Sequence, residues 1–190
     1  MDALALLELD SIARGWRVLD AMVKESPITV VEANLVEPGK FLILFGGGVA
    51  EVQEAHTKGL EIGRDAVIDQ VLLPHAHPRT WACLRGAETF HDVDCAAIVE
   101  GRSIARTILS ADAAVKAAEV QLCALRVTPA LGGRAYYVLT GAQSDVEAAV
   151  DAGLERLGAQ VYRAEVVPNA HPEFLAMALR RAPFSPAGAH

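Results

Sequence analysis

The 190-residue sequence has few cysteines and no long apolar run. Its three cysteines, Cys83, Cys95 and Cys123, are odd in number and far apart, and none belongs to a C-x-x-C pair. This excludes a disulfide framework and a zinc knuckle, so we expect three small buried hydrophobic residues. No apolar stretch reaches the roughly 18 residues that a membrane span requires. The start MDALALLELD lacks the basic residues of a signal peptide, and we expect a cytoplasmic protein that contacts no membrane.

Positive charge is also scarce. The 17 Lys and Arg residues are outnumbered by 24 Asp and Glu, which gives a net charge of −7. Proteins that wrap nucleic acid need a basic face, so we expect no nucleic-acid partner. Aromatic residues make up only 5% of the chain, yet 52% of it is hydrophobic. This surplus of apolar surface is typical of a protein that also buries surface against partner subunits.

The sequence contains one pattern twice. ALLELDSIARGWRVLDAMVK at 5–24 aligns with AIVEGRSIARTILSADAAVK at 97–116 at an offset of 92, and LPHAHP at 73–78 aligns with VPNAHP at 167–172 at an offset of 94. Matches in the same order along the whole length indicate a tandem repeat. The predicted boundaries are a first domain at 4–85, a linker at 86–94, a second domain at 95–182 and a flexible tail at 183–190.

Each copy predicts the order strand, helix, strand, strand, helix, strand, helix. The first predicted helix has Trp16, Leu19, Met22 and Val23 on one face. Glu37-Pro38-Gly39 is a turn by composition and joins the strands ITVVEANLV and KFLILF.

The second helix of each copy is predicted from its ends and its glycines. Ser144 and Glu147 have the spacing of a capping box, and Gly158 is placed to end that helix. Gly59 and Gly153 fall at matched positions on the apolar face, which predicts a close approach of helix to sheet.

No motif for catalysis or nucleotide binding is complete. A phosphate loop at VEPGKFLILFGGG fails because position 34 is Asn and position 41 is Phe. The paired carboxylates, such as Glu8 with Asp10, have no nearby nucleophile and fit a solvated face. His56 aligns with Val150 of the other copy and fits a packed, hydrogen-bonded histidine. We expect no catalytic residue and no enzyme activity.

The histidines of P-H-A-H-P could hold a metal, or they could serve as structural hydrogen-bonding groups. His75 and His77 form an H-x-H step, which can bind a metal. The second copy keeps only His171, with Asn169 at the other place. The structural interpretation is therefore favoured, and we expect no metal site and no cofactor.

Taken together, these motifs resemble the bacterial microcompartment shell domain. They are E-L-x-S-I-A-R-G followed by D-A-M-V-K, then P-G-K-F, a glycine before V-x-x-A, and P-x-x-H. Two such domains in direct tandem are similar to the trimeric tandem class of shell proteins, most of all to those of propanediol-utilisation compartments. The resemblance covers about residues 4–180. It implies two ferredoxin-like α/β (α+β) domains, each an antiparallel four-stranded sheet with flanking helices.

The resemblance also implies a partner set and an edge. Three chains would form a pseudohexameric tile of the compartment shell, which meets other shell proteins (hexamers and pentamers) edge to edge and could contact encapsulated enzymes. The family's edge lysine maps onto Lys24 and Lys116. Its edge P-R-P-H maps onto the segments that contain His75, His77, Asn169 and His171. The arginine is absent from both copies, so we expect weak self-tiling of the pure protein.

In the family, the turn between the second and third strands lines a central pore for metabolites. That turn corresponds here to Glu37, Pro38 and Gly39 in the first copy and to Ala130, Leu131, Gly132 and Gly133 in the second. The propanediol-utilisation pattern has a cluster-binding cysteine where Glu37 stands, so no iron–sulfur cluster is expected. Two alternatives stay open at this point: a pore that binds a metal ion or redox cofactor for electron or ligand exchange, and a ligand-sensing or enzymatic tandem domain that only shares the fold.

Overall fold

The computed structural model describes residues 2–87, 94–127 and 131–178. The chain divides into two compact units, Met1–Ala76 and His77–His190. The predicted linker falls largely outside the described residues, and the predicted tail at 183–190 falls wholly outside them. No helix in the described part of the chain is long and apolar enough to cross a membrane.

The first unit is one antiparallel sheet with two helices. Its strands lie in the order β2-β3-β1-β4, and every neighbouring pair is antiparallel. The elements in chain order are β1 (Ala3–Leu9), α1 (Ile12–Glu25), β2 (Thr29–Val36), β3 (Lys40–Gly47), α2 (Val49–Gly63) and β4 (Val67–Leu73).

The second unit repeats this topology, with strand order β6-β7-β5-β8. It also contains a short helix before its first strand and another after its last. The elements are α3 (Pro78–Leu84), β5 (Cys95–Gly101), α4 (Ile104–Ala117), β6 (Gln121–Arg126), β7 (Ala135–Gly141), α5 (Gln143–Leu157), β8 (Val161–Pro168) and α6 (Pro172–Ala178). The predicted element order and the predicted sheets are confirmed. The predicted boundaries assign α3 to the first repeat, whereas the compact grouping assigns it to the second unit.

The SIAR serines begin the first helix of each unit in the same way. Ser11 accepts a hydrogen bond from the Arg14 backbone N–H at 3.3 Å, and Ser103 accepts one from the Arg106 N–H at 3.1 Å. A serine cap of this kind stabilises a helix by about 1 kcal/mol. The repeated tetrad therefore fixes where each helix starts.

The sheet and helices pack around glycines, as predicted. A Cβ added at Gly59 would lie 2.5 Å from Leu7 Cδ1, and one at Gly153 would meet the Tyr137 hydroxyl and Ser110 Oγ. Only a residue without a side chain allows the second helix to approach this closely. Gly59 and Gly153 therefore allow the same close packing at equivalent positions of the two units.

Two sequence predictions about helices are wrong. Helix α5 begins at Gln143 after the cap residue Ala142, so Ser144 is not a capping residue; Gln143 Nε2 instead donates to Glu147 Oε1 at 2.8 Å. On α1 the predicted apolar face is divided, since Met22 is buried while Trp16 and Val23 are exposed. In this chain the sheet and α2 together cover the side of α1 that carries Gly15, Val18 and Met22.

Candidate pore turns and edge residues

The first predicted pore segment is a tight hairpin turn. Glu37, Pro38 and Gly39 connect β2 to β3, and all three are exposed. The Gly39 N–H donates to the Val36 carbonyl at 3.1 Å, and Gly39 has φ +105°. That backbone conformation favours glycine over any residue with a side chain. The turn therefore presents Glu37 outward at the end of the hairpin.

The second predicted pore segment occupies the equivalent place between β6 and β7. Gly132 and Gly133 have φ values of 60° and 76°, and the Arg134 N–H donates to the Leu131 carbonyl at 3.2 Å. Leu131 is half-buried and Gly132 is exposed. Ala130 lies outside the described residues. The two turns share a position in the fold and differ in chemistry, with a carboxylate in one and only apolar and glycine residues described in the other.

An ion pair anchors the strand that leaves each turn, and sequence reasoning missed it. Lys40 Nζ donates to Glu8 Oε2 at 3.1 Å across the first sheet, and Arg134 lies 3.9 Å from Glu100 in the second. Glu8 is fully buried, so the solvated face expected for it is wrong, and its pair with Lys40 is screened less than a surface pair. The sequence contained a signal for these pairs, because Lys40 and Arg134 each follow a turn and Glu8 aligns with Glu100.

The second unit adds a cationic surface around one tyrosine. The guanidinium carbon of Arg134 lies 4.3 Å from the centre of the Tyr162 ring, and that of Arg102 lies 5.0 Å from it. These distances suit cation–π contacts. The equivalent position in the first unit is Ile68, which has no π face of this kind.

The two predicted edge lysines each pair with an aspartate one helical turn earlier. Lys24 lies 2.7 Å from Asp20, and both side chains are exposed. Lys116 pairs with Asp112, whose side chain is buried. Since exposed pairs of this kind contribute little free energy, the pair on α1 leaves both side chains accessible to a partner.

The predicted edge histidines His77 and His171 begin helices. His77 Nδ1 accepts a hydrogen bond from the Arg79 N–H at 3.2 Å, and His171 Nδ1 accepts one from the Glu173 N–H at 3.2 Å. This is the structural hydrogen-bonding role favoured above for His77 and His171. The partner positions are exposed: His75 precedes α3, and Asn169 precedes α6 with φ +49°.

The described residues offer no metal centre. Within residues 2–87, 94–127 and 131–178, no group of three or more His, Cys, Asp and Glu side chains could hold a metal ion. Cys83, Cys95 and Cys123 are all buried free thiols, as predicted. Burial raises the pKa of the Cys123 thiol, which makes its reactive thiolate less accessible.

His56 is packed in the first unit, as predicted. It lies on α2 and is buried, and its side chain hydrogen-bonds to Gln70. Among the described residues its Nε2 has no hydrogen-bond partner. Burial lowers the pKa of His56 below its usual value of 6.5, and the bond to Gln70 opposes this in part.

Both units of this chain match one known protein family. A family model described as the BMC domain matches residues 3–76 and, a second time, residues 96–170. The chain therefore belongs to the BMC-domain family, the structural proteins of bacterial microcompartment shells.

Particular relatives agree with this assignment. PduT of Citrobacter freundii, a bacterial microcompartment shell protein, is 36% identical over an alignment of 172 residues that covers 89% of this chain and 93% of PduT. A microcompartment protein of Desulfitobacterium hafniense has a crystal structure that matches with a TM-score of 0.83 at 33% identity, covering 93% of this chain and 99% of that one. A fused permuted hexameric shell protein of the RMM microcompartment matches with a TM-score of 0.61 at 21% identity, covering 83% and 84% of the two chains. This last likeness concerns the fold alone.

Proposed function

We propose that three copies of the chain form a pseudohexameric shell tile with a central pore and no catalytic activity. The observation that carries this proposal is the repeated fold: two units of the same topology present the same hairpin turn, so three chains supply six equivalent turns. Closed cyclic symmetry with head-to-tail contacts is the usual way to arrange such copies. The tile would join other shell proteins along edges that include Lys24, Lys116, His75 and Asn169.

The chemistry of the proposed pore follows from the two kinds of turn. Three Glu37 carboxylates would alternate with three segments made of Leu131, Gly132 and Gly133. Lys40 does not neutralise Glu37, because its ammonium group is bound to Glu8. A ring of carboxylates favours cations and polar neutral molecules over anions.

The size of the effect depends on how closely the carboxylates converge. Two of them about 8 Å apart in water repel each other by only about 0.5 kcal/mol, and salt reduces this further. We therefore expect a hydrated pore with a moderate preference for cations rather than a tight ion-binding site.

Glu37→Gln is the test of the carboxylate ring. Purified tiles seated over a solid-state nanopore that separates two salt concentrations should show a cation-selective reversal potential, and Glu37→Gln should move it toward zero. Glu147→Gln is the matched control, because it removes one exposed carboxylate near the start of α5, which follows the end of β7 opposite the β6–β7 turn. An unchanged reversal potential in Glu37→Gln would refute the pore role of Glu37. A shift of equal size in the control would show that net charge alone sets the selectivity.

The mass of the purified protein tests the trimer separately. One chain weighs 20.2 kDa, so sedimentation should give a species three times as heavy, and a persistent monomer would contradict the tile.

A further inference from the structure

The second unit brings two guanidinium groups onto one aromatic ring. Arg102 directly follows β5, Arg134 directly precedes β7, and Tyr162 lies near the start of β8. These three strand ends meet because Gly101, the last residue of β5, pairs with the first residue of both other strands. The guanidinium carbons lie 4.3 Å (Arg134) and 5.0 Å (Arg102) from the centre of the Tyr162 ring. We call these three residues the Arg–Tyr cluster.

All three positions of the cluster differ from their counterparts in the first unit. The aligned residues there are Asp10, Lys40 and Ile68. The charges of Asp10 and Lys40 cancel, whereas the charges of the two arginines in the second unit add. Ile68 has no π face on which a cation could stack. The cluster is therefore a property of the second unit and does not follow from the shared fold.

The conserved glutamate of each unit also neutralises its cation differently. Lys40 Nζ lies 3.1 Å from the buried Glu8, whereas Arg134 Nη1 lies 3.9 Å from Glu100, whose side chain is 37% exposed. A separation of 3.9 Å is too long for a hydrogen bond. Within the part of the chain that the structure describes, neither guanidinium group of the cluster donates a hydrogen bond, and Arg102 has no carboxylate at ion-pair distance. Both groups therefore keep donors for an acceptor from outside the chain.

We infer that the Arg–Tyr cluster binds the phosphate group of a small phosphorylated molecule. A guanidinium group is planar and can donate two parallel hydrogen bonds to phosphate oxygens. Two such groups beside one ring provide enough charge and donors for a doubly charged oxyanion. Stacking on Tyr162 restricts the rotamers of both arginines, which lowers the entropy that binding would otherwise cost. The site lies within one unit, so it goes beyond the proposed tile and does not depend on its assembly.

Exposure makes the site accessible and also limits its affinity. Tyr162 and the Arg134 side chain are each 44% exposed. Ion pairs in contact with water are weak and are screened by salt, so we expect weak, salt-sensitive binding. The chain as a whole has a net charge of −7, which repels anions. Binding of an anion would therefore require a local group of cations such as this cluster.

Calorimetric titration of the full chain with inorganic pyrophosphate tests the site. At low, fixed ionic strength we expect saturable binding of one pyrophosphate per chain, and no binding of acetate, which has one charge. Arg102→Gln should weaken pyrophosphate binding by roughly threefold to tenfold. Arg17→Gln is the matched control, because it removes one exposed guanidinium group from α1 of the first unit, and it should leave binding unchanged.

Three results of this titration would overturn the inference. They are the absence of pyrophosphate binding, equal weakening by Arg102→Gln and Arg17→Gln, and binding of acetate as tight as that of pyrophosphate. The second result would show that net charge alone attracts the anion, and the third that the site does not select phosphate. None of them bears on the trimeric tile, which the mass of the protein tests.

Two substitutions at Tyr162 test its positioning role. Tyr162→Ile, which introduces the residue of the first unit, should weaken pyrophosphate binding because the arginines lose the ring that orients them. Tyr162→Phe keeps the ring and should keep the affinity. Since Tyr162 is 44% exposed, circular dichroism should show an unchanged fold in both variants. Equal affinity of the Ile and Phe variants would overturn the role of the ring.

Discussion

The two copies in this chain build the same fold with different interiors. Where α2 crosses the first sheet, Gly59 lies against Leu7 and Met22, so that contact is entirely apolar. Where α5 crosses the second sheet, the Tyr137 hydroxyl lies 2.8 Å from Ser110 Oγ, which donates to the Gly153 carbonyl at 2.8 Å. Burial raises the pKa of Tyr137 to about 12, so the phenol stays protonated and donates to Ser110.

A second contrast, in burial rather than in residue type, lies on the outer side of the first helices. Asp112 is buried and accepts hydrogen bonds from three groups, whereas Asp20 is exposed and, among the described residues, pairs only with Lys24. A buried polar group is tolerated where every partner is present. The same aspartate can therefore be buried with its partners in one copy and exposed in the other.

The largest effect is expected at Asp112. Asp112→Ala removes the acceptor of the partly buried His77 N–H and of the buried Thr80 hydroxyl. The free energy of unfolding should fall by about 2–4 kcal/mol. Urea unfolding measures this, at a chain concentration below that at which copies associate.

Asp20→Ala is the matched variant for this comparison. Its exposed pair with Lys24 should contribute less than about 0.5 kcal/mol within the chain. Equal losses in the two variants would show that the burial of Asp112 does not distinguish the two copies.

A smaller effect is expected at the paired glycines. In Gly153→Ala the new Cβ meets the Tyr137 hydroxyl, Ser110 Oγ and the Ser110 carbonyl, all held by hydrogen bonds or backbone. In Gly59→Ala it meets Leu7 Cδ1 and Met22 Sδ, and a methionine side chain adapts easily. We expect losses of about 2–3 and 1–2 kcal/mol respectively in thermal unfolding.

Adding Tyr137→Phe to Gly153→Ala sharpens this comparison. Removal of the hydroxyl makes room for the Cβ, so the double variant should lose less than the sum of the two single variants. Simple additivity would contradict the proposed clash.

The sequence predicted what depends on local pattern and on repetition. Strand and helix order and the close packing at the paired glycines follow from short-range signals that occur twice. The first hairpin turn was predicted from its composition, because a glycine with positive φ is typical of a tight turn, whereas the second was inferred from the family resemblance.

The sequence did not predict which face of each first helix is covered by another element. Helical periodicity defined an apolar face on α1, but it could not show that Trp16 and Val23 stay exposed while the matching side chains of α4 are buried. The packing of α3 in the second unit is a contact between elements distant in sequence. The ion pairs at Glu8 and Glu100 join neighbouring strands in the same way. Such contacts are not visible in the local pattern of either copy and emerge only from a comparison of the two copies.

The smallest effect concerns His56, whose counterpart in the second copy is Val150. Because burial lowers the pKa of His56 in the folded chain, the unfolded chain binds a proton more readily. The stabilising contribution of the neutral histidine is therefore complete above pH 6.5, its usual pKa, and is lost as the pH falls below that value toward the folded pKa.

His56→Val, the residue of the other copy, should remove this part of the pH dependence. Urea unfolding at several pH values between about 7.5 and 5 measures it, with the loss of stability toward low pH smaller in the variant. Gln70→Ala should have the opposite effect. The hydrogen bond with Gln70 raises the pKa of His56, so its loss should lower that pKa further and make stability depend more steeply on pH. If His56→Val keeps the full pH dependence of the natural chain, groups other than His56 cause that dependence.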